Sequence, residues 1–102
     1  MYRYTTPTLP ITLSGIDFSD VIVFRIKIKQ GSLELLKEIQ AGDPNIDAQN
    51  NKIYVPLTQE ETASFKGGPV KIQARVKFNN NAVMASNMVS HNMNDVLDEV
   101  II

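Results

Sequence analysis

IYVPLTQEETASFKGGPVKIQARVKF, residues Ile53 to Phe78, holds two runs of alternating apolar residues with a helix-start signal between them. In the first run Ile53, Val55 and Leu57 fall on one side of an extended chain, and Pro56 falls on the other, where its missing N–H limits pairing. In the second, Val70, Ile72, Ala74, Val76 and Phe78 alternate with Lys71, Gln73, Arg75 and Lys77. A period of two with cations on one side specifies a strand with one buried face, because a slip of one residue would bury the charges. Between the runs, Thr58-Gln59-Glu60-Glu61 has the Thr-x-x-Glu form of a capping box. The Thr58 hydroxyl can accept the Glu61 N–H while the Glu61 carboxylate accepts the Thr58 N–H. The pattern predicts a short helix over residues 59–65, with Phe65 turned to the core. Gly67-Gly68-Pro69 ends it, one glycine serving as the left-handed cap and the proline barring continuation.

The same period recurs upstream. Thr8 to Leu13 points Leu9, Ile11 and Leu13 to one side, and Pro10 assigns this strand to a sheet edge. Val21 to Gln30 is the clearest strand, with Ile22, Phe24, Ile26 and Ile28 inward and Arg25, Lys27 and Lys29 outward. Gln30-Gly31-Ser32 is a tight reversal, so Leu33 to Gln40 (LELLKEIQ) should be its hairpin partner. That segment is also helix-friendly in composition. Strand is the better reading, because the reversal is short and eight residues make a poor isolated helix. Leu33, Leu35 and Ile39 then face inward, and Glu34 and Glu38 face outward, expected opposite some of Lys71, Arg75 and Lys77. Ala41 to Asn51 is the longest loop, with room for a brief strand near Ile46.

After Phe78, Asn79-Asn80-Asn81 turns the chain, since asparagine tolerates the left-handed region. Ala82 to Val89 returns as a strand with Val83 and Ala85 expected toward the core. The chain thus divides into an N-terminal arm (1–7), a sandwich domain (8–89) and an apolar tail (90–102). In the tail Met93, Val96, Leu97, Val100 and Ile101 recur at helical spacing, and Asn94 could cap a helix there; the segment could equally extend the preceding strand.

Composition narrows the function. A chain of 102 residues with 43% hydrophobic and 21% charged residues is one ordinary folded domain. Without cysteine there is no disulfide framework, thiolate metal site or cysteine nucleophile. No apolar run approaches the ~20 residues needed to span a bilayer, and MYRYTTPTLP is not a signal peptide. A cytoplasmic place of synthesis and no membrane partner are therefore expected. The net charge of −1 points away from nucleic acid, although the cationic rows of the two long strands could contact phosphates.

No catalytic, cofactor-binding or metal-binding residue is nominated, and the chain is not expected to be an enzyme. His91 is the only histidine and reads as a solvated loop residue. Glu60 and Glu61 resemble paired carboxylates, but the capping box accounts for them. Asp43 and Asp47 lack the spacing of a calcium loop and suit turn chemistry. Gly67-Gly68 ends a helix rather than opening one, so it is no phosphate cradle. Two features stand as possible contacts. They are the apolar tail with Met84, Met88 and Met93 nearby, and the arm carrying Tyr2 and Tyr4.

The order strand, helical turn, strand, return strand matches the E, E–F turn, F and G elements of an immunoglobulin-like sandwich of about seven strands. In that assignment Thr8–Leu13 is A, Val21–Gln30 is B and Leu33–Gln40 is C, and the helix of residues 59–65 lies between E and F. The stretches IYVPLTQEETASF, VKIQARVKF and AVMASNMV resemble small proteins from phages and prophages of Gram-positive bacteria. They are similar, more loosely, to the immunoglobulin-like N-terminal domain of phage baseplate upper proteins. The resemblance runs from about Thr8 to Val89 and implies a non-enzymatic structural or interaction protein, in tail or baseplate assembly. Its partners would be other phage structural proteins or a second copy, in the host cytoplasm during assembly or in the virion. A carbohydrate-binding sandwich module using the Asn-rich loops is the alternative, though the chain has no tryptophan.

Overall fold

The computed structural model describes residues 1–102. Eight strands run in chain order: β1 (Thr8–Thr12), β2 (Val21–Gln30), β3 (Leu33–Gln40), β4 (Ile46–Asp47), β5 (Lys52–Pro56), β6 (Gly68–Phe78), β7 (Val83–Ala85) and β8 (Val89–Met93). The one α-helix, α1 (Gln59–Ala63), carries the chain from β5 to β6. The strands form two antiparallel sheets. One has the order β1-β5-β4; the other has the order β3-β2-β6, with β7 and then β8 pairing along the far side of β6. Apolar residues from both sheets join one core cluster that includes Leu9, Ile53 and Val55 from the first and Phe24, Ile26 and Ile72 from the second. The protein is an all-β sandwich with one short helix between two of its strands.

The alternation of the sequence becomes burial where it was strongest. Phe24, Ile26 and Ile28 of β2 and Val70, Ile72, Ala74 and Val76 of β6 are buried, and their lysine and arginine neighbours are exposed. LELLKEIQ is a strand over its full length, joined to β2 by Gly31-Ser32 with Gly31 in the left-handed region (φ 59°) that a two-residue hairpin needs. The brief strand at Ile46 is present, and Pro10 lies in an edge strand.

Several expectations are corrected. The immunoglobulin assignment places strands B and C in different sheets, whereas β2 pairs with both β3 and β6 in a single sheet. A two-residue reversal leaves no length for a crossover, so it holds β3 beside β2. Glu34 and Glu38 consequently stand beside Lys27, Lys29 and Arg25 of β2, not beside β6. Ile22 is not inward. The β2–β6 register slips between Val21 and Val23, and the extra residue reverses the side-chain parity. Val21 is therefore 4% exposed and Ile22 41%.

Val83 and Ala85 also face outward. The loop of Asn79–Asn81 has three residues, with Asn81 left-handed (φ 69°), and the Phe78 N–H donates to the Ala82 carbonyl. That odd loop length sets Met84 opposite the buried Val76 and puts Val83 and Ala85 on the solvent side with Lys77 and Arg75. The helix stops at Ala63, two residues short of Phe65, with Ser64 right-handed at its end and no left-handed glycine. Gly68 (φ 124°) and Pro69 begin β6 instead. Of the two forms expected for the tail, strand extension is observed as far as Met93, which is buried, and no helix follows.

Candidate functional site

The capping box forms as the sequence specifies. The Glu61 N–H donates to the Thr58 hydroxyl at 3.1 Å, and the Thr58 N–H donates to the Glu61 carboxylate at 2.8 Å. A second partner arrives from the other sheet. Lys37 occupies an inward position of β3, and its ammonium lies 3.0 Å from both Glu61 carboxylate oxygens. Burial raises the Glu61 carboxyl pKa, but the Thr58 N–H and the Lys37 charge outweigh it, and the net shift is downward. The carboxylate therefore stays ionised and engaged on both sides. This is the reverse of what a general acid needs.

The N-terminal arm is a clasp, built around Arg3. Its guanidinium donates to the carbonyl of Ala63, the last residue of α1, to that of Phe65 just beyond the helix, and to the carboxylates of Asp95 (3.0 Å) and Glu99 (3.2 Å) in the tail. Arg3 thus caps the helix C-terminus, which explains why no glycine cap is needed there. The Asp95 hydrogen bond is the main reason the Arg3 pKa lies above its usual value. Thr62, the one buried polar residue, accepts the Thr5 N–H at 3.1 Å, and its hydroxyl lies 2.8 Å from the Thr5 carbonyl. Met1 and Arg3 exchange backbone bonds with Asn94, so the chain's two ends run side by side. Sequence reasoning missed Arg3 and Lys37. A cation in an apolar parity position, as Lys37 is in LELLKEIQ, was the available signal for the second.

The remaining candidates separate. His91 sits in β8 rather than in a loop, exposed, opposite Val70. Asp43 accepts the Asn45 N–H, and Asp47 accepts from the Asn50 amide, which is turn chemistry. No group of three or more His, Asp or Glu side chains is arranged to hold a metal ion. No buried side-chain nitrogen or oxygen lacks a hydrogen-bond partner. No helix is long and apolar enough to cross a membrane.

One surface is left open. β1 ends one sheet and β7–β8 ends the other on the same side of the sandwich, and between them lies a groove of about 500 Å³. Leu9, Ile11, Ile72, Met84, Val89 and His91 line it. Met84 and Val89 point to the inner face opposite Val76 and Ile72, which are almost wholly buried. Yet Met84 is 47% and Val89 46% exposed. The first sheet has no strand beyond β1 to cover them. The free edge of β1 is itself a poor template for strand addition. Leu57 donates to Pro7 and Leu13 to Asn51, so odd-numbered residues bond toward β5, and Pro10 presents its missing N–H to the outside. Contact at this groove therefore falls to side chains. Beside α1, the tail adds Leu97, Val100 and Ile102, all solvent-exposed, although the Gln59 amide fastens the last residue through its N–H and carbonyl.

No protein-family model matches the chain, and no match was found among curated proteins.

Proposed function

We propose that this protein is a non-enzymatic interaction protein of the structural kind found in phages and prophages, which docks to another particle protein or to a second copy of itself. The observation that carries the reading is the open edge of the sandwich, where inward-pointing Met84 and Val89 remain half exposed. Methionine and β-branched side chains on an uncovered inner face favour association with apolar surface over water. The exposed apolar tail supports the reading, as does the resemblance of IYVPLTQEETASF and VKIQARVKF to phage proteins, which points to tail or baseplate assembly. The carbohydrate alternative draws less support, because no phenylalanine, tyrosine or tryptophan lines the groove to stack against a sugar.

Sedimentation of the chain alone, with a pull-down against the products of neighbouring genes, tests the proposal. A dimer, higher oligomer or stable complex that is lost in Val89→Lys is the expected result. A strict monomer that captures none of those products would overturn it.

A further inference from the structure

The solvent face of the larger sheet concentrates charge that the whole-chain balance conceals. Arg25, Lys27 and Lys29 of β2 and Lys71, Arg75 and Lys77 of β6 lie side by side on it, because the register sets Arg25 opposite Arg75 and Lys29 opposite Lys71. Only Glu34 and Glu38 of β3 share that face. Six cations against two carboxylates leave a surplus of four on a chain whose net charge is −1. Like charges directly opposite one another across strands destabilise a sheet. The carboxylates relieve only one side. Glu38 takes Arg25 at 2.9 Å, and Glu34 lies near Lys27 and Lys29 at 3.6 and 3.5 Å. Lys71, Arg75 and Lys77 take part in none of the ion pairs of the molecule.

We infer that this face binds the phosphate backbone of nucleic acid without regard to base sequence. Charge complementarity requires an anionic partner, and the residue types indicate which. Four of the six cations are lysines, which are depleted in protein–protein interfaces but serve well as point charges for phosphate. The face has no aromatic anchor of the kind a protein partner needs; its apolar side chains are Ile22 and Val23 at the start of β2, and Leu36 and Val83 on the flanking strands. With no aromatic platform there is nothing to read or stack bases, so the interaction is electrostatic. Cations recur about 7 Å apart along β2 and between Arg75 and Lys77 of β6, while Gln73 parts Lys71 from Arg75, so the two adjacent rows make a cationic track with one neutral position in it. The chain's net charge argues against nucleic acid only if charge is spread evenly, and here it is not.

The test is titration of the full chain against fluorescein-labelled mixed-sequence DNA, single-stranded and duplex, with labelled polyglutamate as the acidic-polypeptide control. Binding to DNA of unrelated sequences with equal affinity is expected. If the three unpaired cations each displace a counterion, duplex affinity should fall about 40-fold between 50 and 200 mM salt. The Lys71→Gln/Arg75→Gln/Lys77→Gln variant should lose the binding and, relieved of like-charge opposition, melt no lower than the parent. Lys52→Gln, in the other sheet, should bind as the parent does. Three outcomes would overturn the inference: no DNA binding at 50 mM salt, equal or tighter binding to polyglutamate, or DNA binding unchanged in a triple variant that keeps its melting profile.

Discussion

The two sides of this sandwich solve the same problem in opposite ways. On both, one sheet leaves inward-facing side chains partly uncovered at its end. Beside β3, the gap is filled by α1, and polar bonds link segments far apart in sequence: Lys37 with Glu61, Thr5 with Thr62, and Arg3 with Ala63, Phe65, Asp95 and Glu99. Beside β1 and β7–β8 nothing fills it, and the exposed side chains are Met84, Val89 and their apolar neighbours. The closed side is directional and satisfied within the chain, because hydrogen bonds and ion pairs need particular partners. The open side is apolar and undirected, which suits a partner from outside. The difference predicts that changes on the closed side register in stability, while changes on the open side register in association.

The sharpest break in that contrast should come from Phe65, which closes the core beneath the clasp and is almost wholly buried. Phe65→Ala should lower unfolding free energy by about 3–5 kcal/mol, as deletion of a buried aromatic does. Denaturant titration measures it, and a loss near zero would mean that the clasped side is not packed as described. Arg3→Ala comes next. It removes the donors that satisfy the carbonyls of Ala63 and Phe65 and two tail carboxylates, and should cost about 1–3 kcal/mol. The same variant should raise amide exchange in residues 95–102 relative to β6, a readout that a general destabilisation would not confine to the tail.

The cap offers a smaller effect and a pH signature. Thr58→Ala should cost about 0.5–2 kcal/mol by removing the acceptor for the Glu61 N–H. Because the folded-state Glu61 pKa lies below its unfolded value, the unfolded chain binds the proton more readily in that interval. The Glu61 contribution is therefore fully present above the ordinary glutamate value of about 4.3 and is lost as pH falls through the lowered one. Glu61→Gln should flatten the acid side of the stability profile and leave its shape near neutrality unchanged. At the other extreme, Val89→Lys on the open side should change monomer stability by no more than about 0.5 kcal/mol, yet abolish assembly in sedimentation. Equal losses in stability from Val89→Lys and Arg3→Ala would erase the distinction between the two sides.

What was readable in the residues follows the range of the forces involved. Alternation over β2 and β6 reports a strand with one buried face, and Thr58-x-x-Glu61 reports a helix start, because both depend on neighbours within four positions. Pro10 announced an edge for the same reason. Parity failed wherever a single residue was inserted or a loop set the phase, as at Ile22 and at Val83. A bulge changes the face of every residue beyond it without changing composition.

By itself, then, the sequence determined that this chain is a β-sandwich with a capped helical turn between two strands. It also determined which faces of the two long strands carry cations. Tertiary structure alone decided that β2 and β3 share a sheet, that Lys37 meets Glu61, and that Arg3 ends the helix in place of a glycine. It also decided that the cations of β2 and β6 stand shoulder to shoulder and that Met84 and Val89 lie uncovered. Local periodicity says which way a side chain points. What it meets there depends on which distant strand closes beside it, and that choice is made by the packing of the whole sandwich.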